Sequence, residues 1–116
     1  MIRIYINVKG LNNIDKQRKT MATSLTHANP KFFVDYTSQR PCTKISFIYG
    51  DFRVDVPFND ETRENVRAIF DEHVIRFSNL SSHTRPKARS FTMDTEVWWE
   101  NRLLMRTVWT VEKNFR

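Results

Sequence analysis

At 116 residues, with 40% hydrophobic and 13% aromatic side chains, the chain carries apolar surface for one core, which excludes a disordered tail protein. Two glycines and one cysteine, Cys42, exclude a glycine-rich dinucleotide or phosphate loop, an intrachain disulfide and a cysteine-built zinc finger. The net charge of +6 is uneven: eight basic and two acidic residues over 1–50, four and seven over 51–80, seven and four over 81–116. That layout suits a polyanion on parts of the surface only.

Residues 2–8 set Ile2, Ile4, Ile6 and Val8 against Arg3, Tyr5 and Asn7, which predicts a half-buried strand. Gly10 and Asn12-Asn13 end it. Leu11, Ile14, Met21, Ala22 and Leu25 then fall close to a helical stripe that Asn29-Pro30 stops. Phe32–Thr37 is expected as a second strand. Ile45–Tyr49 and Phe52–Phe58 flank Gly50-Asp51, a pair suited to a type II′ hairpin turn. The register sets Tyr49 opposite Phe52, Phe47 opposite Val54 and Ile45 opposite Val56, all on one face.

Asn59 is placed to cap a second helix, with Asp60, Glu61 and Glu64 at its positive end. Val66, Ile69, Phe70, His73, Val74 and Phe77 make its apolar stripe; Arg67 with Asp71 and Glu72 with Arg76 are outer i,i+4 pairs. Ser81–Ser90 reads as a polar connection carrying His83, Arg85, Lys87 and Arg89. Two long strands follow, about 91–99 and 103–112. A three-residue loop, Glu100–Arg102, pairs Trp99 with Leu103, Val97 with Met105, Met93 with Trp109 and Phe91 with Val111, and sets Glu96 against Arg106 on the other face. The expected fold is a single α+β domain over residues 1–116: a two-layer sandwich, its largely antiparallel sheet covered on one face by two helices, in the order β-α-β-β-β-α-β-β.

Met1 leads straight into the first strand without a signal-peptide pattern, and no apolar run approaches the roughly 20 residues that span a bilayer. With the lone cysteine, this predicts a cytoplasmic, nucleoid or nuclear protein that is neither secreted nor membrane-bound.

No catalytic residue, metal or cofactor is assigned. His73 lies on the apolar stripe, where a buried imidazole bonds to backbone; His27 closes the first helix, and His83 sits in the basic connection. His83 with Arg85 or Lys87 supplies part of what a metal-independent nuclease needs, so a small nuclease stands as a second alternative. Asp94 and Glu96 share a strand face, as Asp51 and Asp55 do, but Arg106 opposite Glu96 points to ion pairing rather than to a held cation.

Two groups of residues suit nucleic acid. Arg3, Tyr5 and Lys9 form a platform in which Tyr5 stacks an unpaired base, and Arg85, Lys87 and Arg89 neutralise phosphate. The run Ile4-Tyr5-Ile6-Asn7 is similar to the first-strand motif of RNA-recognition domains over those four residues. The companion aromatic motif is missing, since KISFIYGDF at 44–52 turns its aromatics one way. Residues 12–78, read as α-β-β-β-α, resemble double-stranded-RNA-binding domains in element order, with Asp60-Glu61-Thr62-Arg63-Glu64 where that family opens its second helix with lysines. Neither likeness assigns a family.

In the last hairpin Trp98 and Leu104 are expected on the face opposite Trp99, Val97 and Met105. With Arg102 and Arg106 they form a candidate protein interface. The reading is a small basic non-enzymatic protein that engages nucleic acid or a nucleic-acid-processing complex. The alternative is an interaction or inhibitor module of the viral or plasmid accessory type, acting through residues 91–112 on a partner protein or as a homodimer.

Overall fold

A computed structural model describes residues 6–11, as backbone, and 30–113. The elements are β1 (Ile6–Leu11), α1 (Pro30–Ser38), β2 (Lys44–Tyr49), β3 (Phe52–Pro57), α2 (Asp60–Glu64), α3 (Val66–Thr84), β4 (Ser90–Trp99) and β5 (Arg102–Glu112). The five strands form one antiparallel sheet in the order β1-β5-β4-β2-β3. Helices α1 and α3 cover one face of it, the two-layer α+β arrangement expected from the sequence.

Aromatic packing joins the layers. Trp109 of β5 is fully buried and meets Phe33 of α1 edge-on at 6.0 Å and Phe70 of α3 at 4.9 Å between ring centroids. Its indole Nε1 donates to Thr95 Oγ1 at 2.9 Å, so the ring is buried without an orphaned donor. On β2, Phe47 stacks on His73 at 4.2 Å and Tyr49 on Phe77 at 5.4 Å. His73 is buried on the apolar stripe as expected, its Nδ1 2.8 Å from the Ile69 carbonyl.

The β2–β3 register is the one expected, with Tyr49, Phe47 and Ile45 opposite Phe52, Val54 and Val56. Gly50 has φ +58° while Asp51 keeps a negative φ, the combination of a type II′ turn rather than type I′. Pro57 closes β3, which borders the sheet and, among the described residues, pairs with β2 alone. Asn59 caps α2 through its side-chain oxygen, which accepts from the Thr62 N–H at 2.9 Å. The helix expected beyond it is broken once: Asn65 leaves helical geometry at φ −119°, ψ 21°, and α3 restarts at Val66.

Gly10 and Leu11, expected to end the first strand and to start a helical stripe, belong to β1 and pair with Val108 and Thr107; three further expectations are corrected. Phe32–Thr37 is helical, within α1, because Phe33, Tyr36 and Thr37 recur at helical spacing and are the buried ones. Pro30 opens this helix, where its missing N–H costs nothing. With that strand gone, the element order shared with double-stranded-RNA-binding domains is gone too. The connection after α3 is shorter than Ser81–Ser90, since Ser81–Thr84 complete the last helical turn.

The third correction is in the β4–β5 hairpin. Val97–Met105, Met93–Trp109, Phe91–Val111 and Glu96–Arg106 pair as expected, but Trp98 faces Leu103 and Trp99 faces Arg102 across a two-residue turn, Glu100-Asn101. The register shift next to Val97 leaves Leu104 as the extra residue of a bulge. Its side chain packs against the core and its carbonyl accepts from the Tyr36 hydroxyl at 3.4 Å. Leu104 therefore does not share the outer face with Trp98; Leu103 takes that place. The rest of the first predicted helix, from residue 12 and with His27, lies outside the described residues.

The last turn of α1 is held by a cation from α2. Arg63 Nη1 donates to the carbonyls of Thr37, Ser38 and Arg40 at 2.9, 3.2 and 3.1 Å, where the helix dipole is negative. Cys42, buried beside it, has its thiol pKa raised by burial, with Arg63 and Arg40 opposing that in part. A thiol so placed is a poor nucleophile.

Candidate functional site

The face of the sheet that the described helices leave uncovered and the end of the sheet next to the α3–β4 loop differ in how they treat their charges. On the uncovered face the charges are paired across four strands. Ser46 Oγ donates to Asp55 Oδ1 at 2.6 Å, Arg53 reaches Asp55 at 3.2 Å and Glu96 at 3.0 Å, and Lys44 lies 3.7 Å from Asp55. Arg106 pairs with Asp94 at 3.1 Å and more loosely with Glu96 at 3.9 Å. Trp98 Nε1 donates to Glu96 at 3.2 Å while Lys44 sits over the indole, 5.1 Å from its centroid. The Glu96–Arg106 pair expected from sequence is present, although Asp94 holds Arg106 more closely. The Asp55 carboxyl lies below the usual carboxylate range, chiefly because Ser46 donates to it; partial burial works the other way, and Lys44 and Arg53 add to the lowering. Among the described residues no three His, Cys, Asp or Glu side chains gather as a metal site.

The sheet end is different. Arg85, Lys87 and Arg89 are all exposed, and none makes an ion pair among the described residues. The backbone carrying them is fastened. Arg85 N–H donates to Ser81 O at 2.7 Å, Ala88 N–H to Arg85 O at 3.0 Å, and Lys113 N–H to Arg89 O at 2.7 Å. Lys113, 7% exposed as a residue, donates through its ammonium to Ser81 Oγ at 2.9 Å and to the Arg85 carbonyl at 3.3 Å. A buried lysine thus ties the loop to the end of β5, so the three outer cations stand on a held backbone. His83 is exposed in the last turn of α3 rather than within the loop.

Next to this loop lies a cavity of about 450 Å³, whose walls include Tyr49, Asp51, Phe52, Ser81, Arg85 and Phe91. Tyr49 is set between Phe77, stacked at 5.4 Å, and Phe91, edge-on at 5.6 Å. Phe52 is 54% exposed and also borders a shallower groove against α3, with Ile75, Arg76 and Leu80. Arg76 does not close the expected pair with Glu72 and is without an ion pair among the described residues. The pattern of alternation put Phe52 among the inward residues. It does face the helical layer, but at the sheet border, beyond what α3 covers. An aromatic beside a hairpin turn on a border strand is the signal that could have shown this.

Of the other residues singled out from sequence, Arg3 and Tyr5 lie outside the described residues, and Lys9 falls at the register shift in β1, between Val8 and Gly10. Trp98 and Arg106 belong to the charge network, and Arg102, exposed, faces Trp99, which is 38% exposed. The hairpin residues and the loop cations are therefore not one site. No helix among the described residues is long and apolar enough to cross a membrane. No known protein family matches the chain, and neither does any curated protein or solved structure.

Proposed function

We propose that this is a small non-enzymatic protein that binds the phosphate backbone of nucleic acid through the loop bearing Arg85, Lys87 and Arg89. The supporting observation is the contrast in charge pairing. Arg53, Arg106 and Lys44 are engaged by carboxylates on the sheet face, whereas these three cations, within five residues, have none among the described residues. Exposed cations on a fastened loop lose little freedom on meeting phosphates, and each contact releases counterions.

The test is fluorescence anisotropy with labelled DNA and RNA at two salt concentrations. The wild-type protein should bind with an affinity that falls steeply with salt. Replacing Arg85, Lys87 and Arg89 together with Ala should weaken unrelated sequences about equally and reduce the salt slope by roughly two to three. A slope that does not change would remove the loop from the interface. Absence of binding at low salt would move the protein-interaction reading ahead, with Trp99 and Arg102 at the tip of the last hairpin as its contact point.

A further inference from the structure

We infer that the cavity beside Phe52 takes an unpaired nucleobase, so that the nucleic acid bound is single-stranded; this rests on the phosphate-binding reading above. Phosphate contacts alone do not distinguish strand types, since a duplex presents the same backbone. What distinguishes them is a π-face that a base can reach only when it is out of a helix. Phe52 offers such a face. It is the most exposed large apolar side chain among the described residues and stands at the border shared by the cavity and the α3 groove.

Cations flank it on both sides, Arg85 on the cavity side and Arg76 on the groove side, and neither has an ion pair among the described residues. A strand running from the loop across Phe52 toward Arg76 would alternate phosphate, base and phosphate against cation, ring and cation. The cavity also fits the polar edge of a base. The Tyr49 hydroxyl has no hydrogen bond among the described residues, and its ring is already immobilised between Phe77 and Phe91. Asp51, which also lines the cavity, carries a carboxylate able to accept from an exocyclic amino group. A volume of about 450 Å³ is in the range of small-ligand sites and admits one base.

The experiment compares anisotropy titrations of oligo(dT), oligo(U) and a duplex of matching length with the wild type, Phe52→Ala, Phe52→Leu, Phe52→Trp and the triple loop variant. Phe52→Leu keeps the apolar bulk without the ring; Phe52→Trp keeps a π-face. The wild type should prefer the single strands. Phe52→Ala and Phe52→Leu should each lose about tenfold on them, with duplex binding unchanged, while Phe52→Trp should retain single-strand affinity. Wild-type preference for the duplex, or equal losses on both strand types, would overturn the inference. So would full single-strand affinity in Phe52→Ala; if the loop variant still lost binding, phosphate recognition by the loop would stand alone. No binding of any probe by the wild type would overturn both.

Discussion

Arg53 on the border strand β3 reaches over β2 to Glu96 on β4, its Nη2 3.0 Å from a carboxylate oxygen that also accepts from the Trp98 indole. The Glu96 side chain is 9% exposed and the Arg53 side chain 44% exposed, so the buried partner depends on the accessible one. Arg53→Ala leaves Glu96 with the Trp98 indole and its loose contact to Arg106, and should cost about 1–2 kcal/mol in urea unfolding. The cost should shrink in a Glu96→Gln background, where no buried charge remains to be matched. Strict additivity of the two changes would show that the pair is decorative.

The same face gives stability an acid limb. Asp55 titrates below an ordinary carboxylate because Ser46 donates to it and because Lys44 and Arg53 stand nearby. A folded-state pKa lowered in this way means that the unfolded chain takes up the proton first as pH falls. Its contribution is complete above the ordinary carboxylate range and is lost as pH drops through the depressed value. Urea midpoints at neutral and acidic pH should therefore converge in Asp55→Asn relative to wild type. An unaltered pH dependence would assign the acid limb to other carboxylates.

Both hairpins turn on two residues, but the first position is Gly50 in one and Glu100 in the other, with φ of +58° and +52°. A side chain at positive φ is strained, and Glu100 is held there by its own N–H donating to Thr43 Oγ1 at 2.7 Å. Glu100→Gly should raise stability by about 0.5–1 kcal/mol, a thermal midpoint shift of a few degrees. A lowered midpoint would mean that the carboxylate makes a compensating contact.

How far the sequence could be read depended on how many independent signals met at each element. At the β2–β3 hairpin the turn chemistry of Gly50-Asp51 and the alternation on both arms agree, and the register followed residue for residue. In α3 the stripe from Val66 to Phe77 was long enough to leave no competing periodicity. Phe32–Thr37 had neither length nor a turn signal, and a short apolar run reads equally as strand or helix until its burial is known. In the last hairpin the far register was legible from Glu96 opposite Arg106, but the bulge at Leu104 was not. A bulge absorbs one residue without any mark in composition, so a two-residue turn with a bulge and a three-residue turn without one leave the same distant pairs. The loop cations Arg85, Lys87 and Arg89 were visible as residues. That they make no ion pair among the described residues, and that Phe52 stands beside them, depends on how the chain folds back on itself, and that is a property of topology.

The position of Pro57 bears on how the molecule behaves in a crowded solution. Because Tyr49 and Phe52 close the turn, Phe52, Val54 and Val56 direct their amides to β2, and Arg53, Asp55 and Pro57 direct theirs outward. Proline has no amide hydrogen to offer, and the two outward amides that remain belong to residues locked by their side chains into the charge network. Another strand laid along β3 would meet a ladder with its last rung missing and two charged side chains beside the others. Among the described residues β3 is a border of the sheet, and the missing donor of Pro57 with the charged neighbours Arg53 and Asp55 disfavours edge-to-edge pairing from that side.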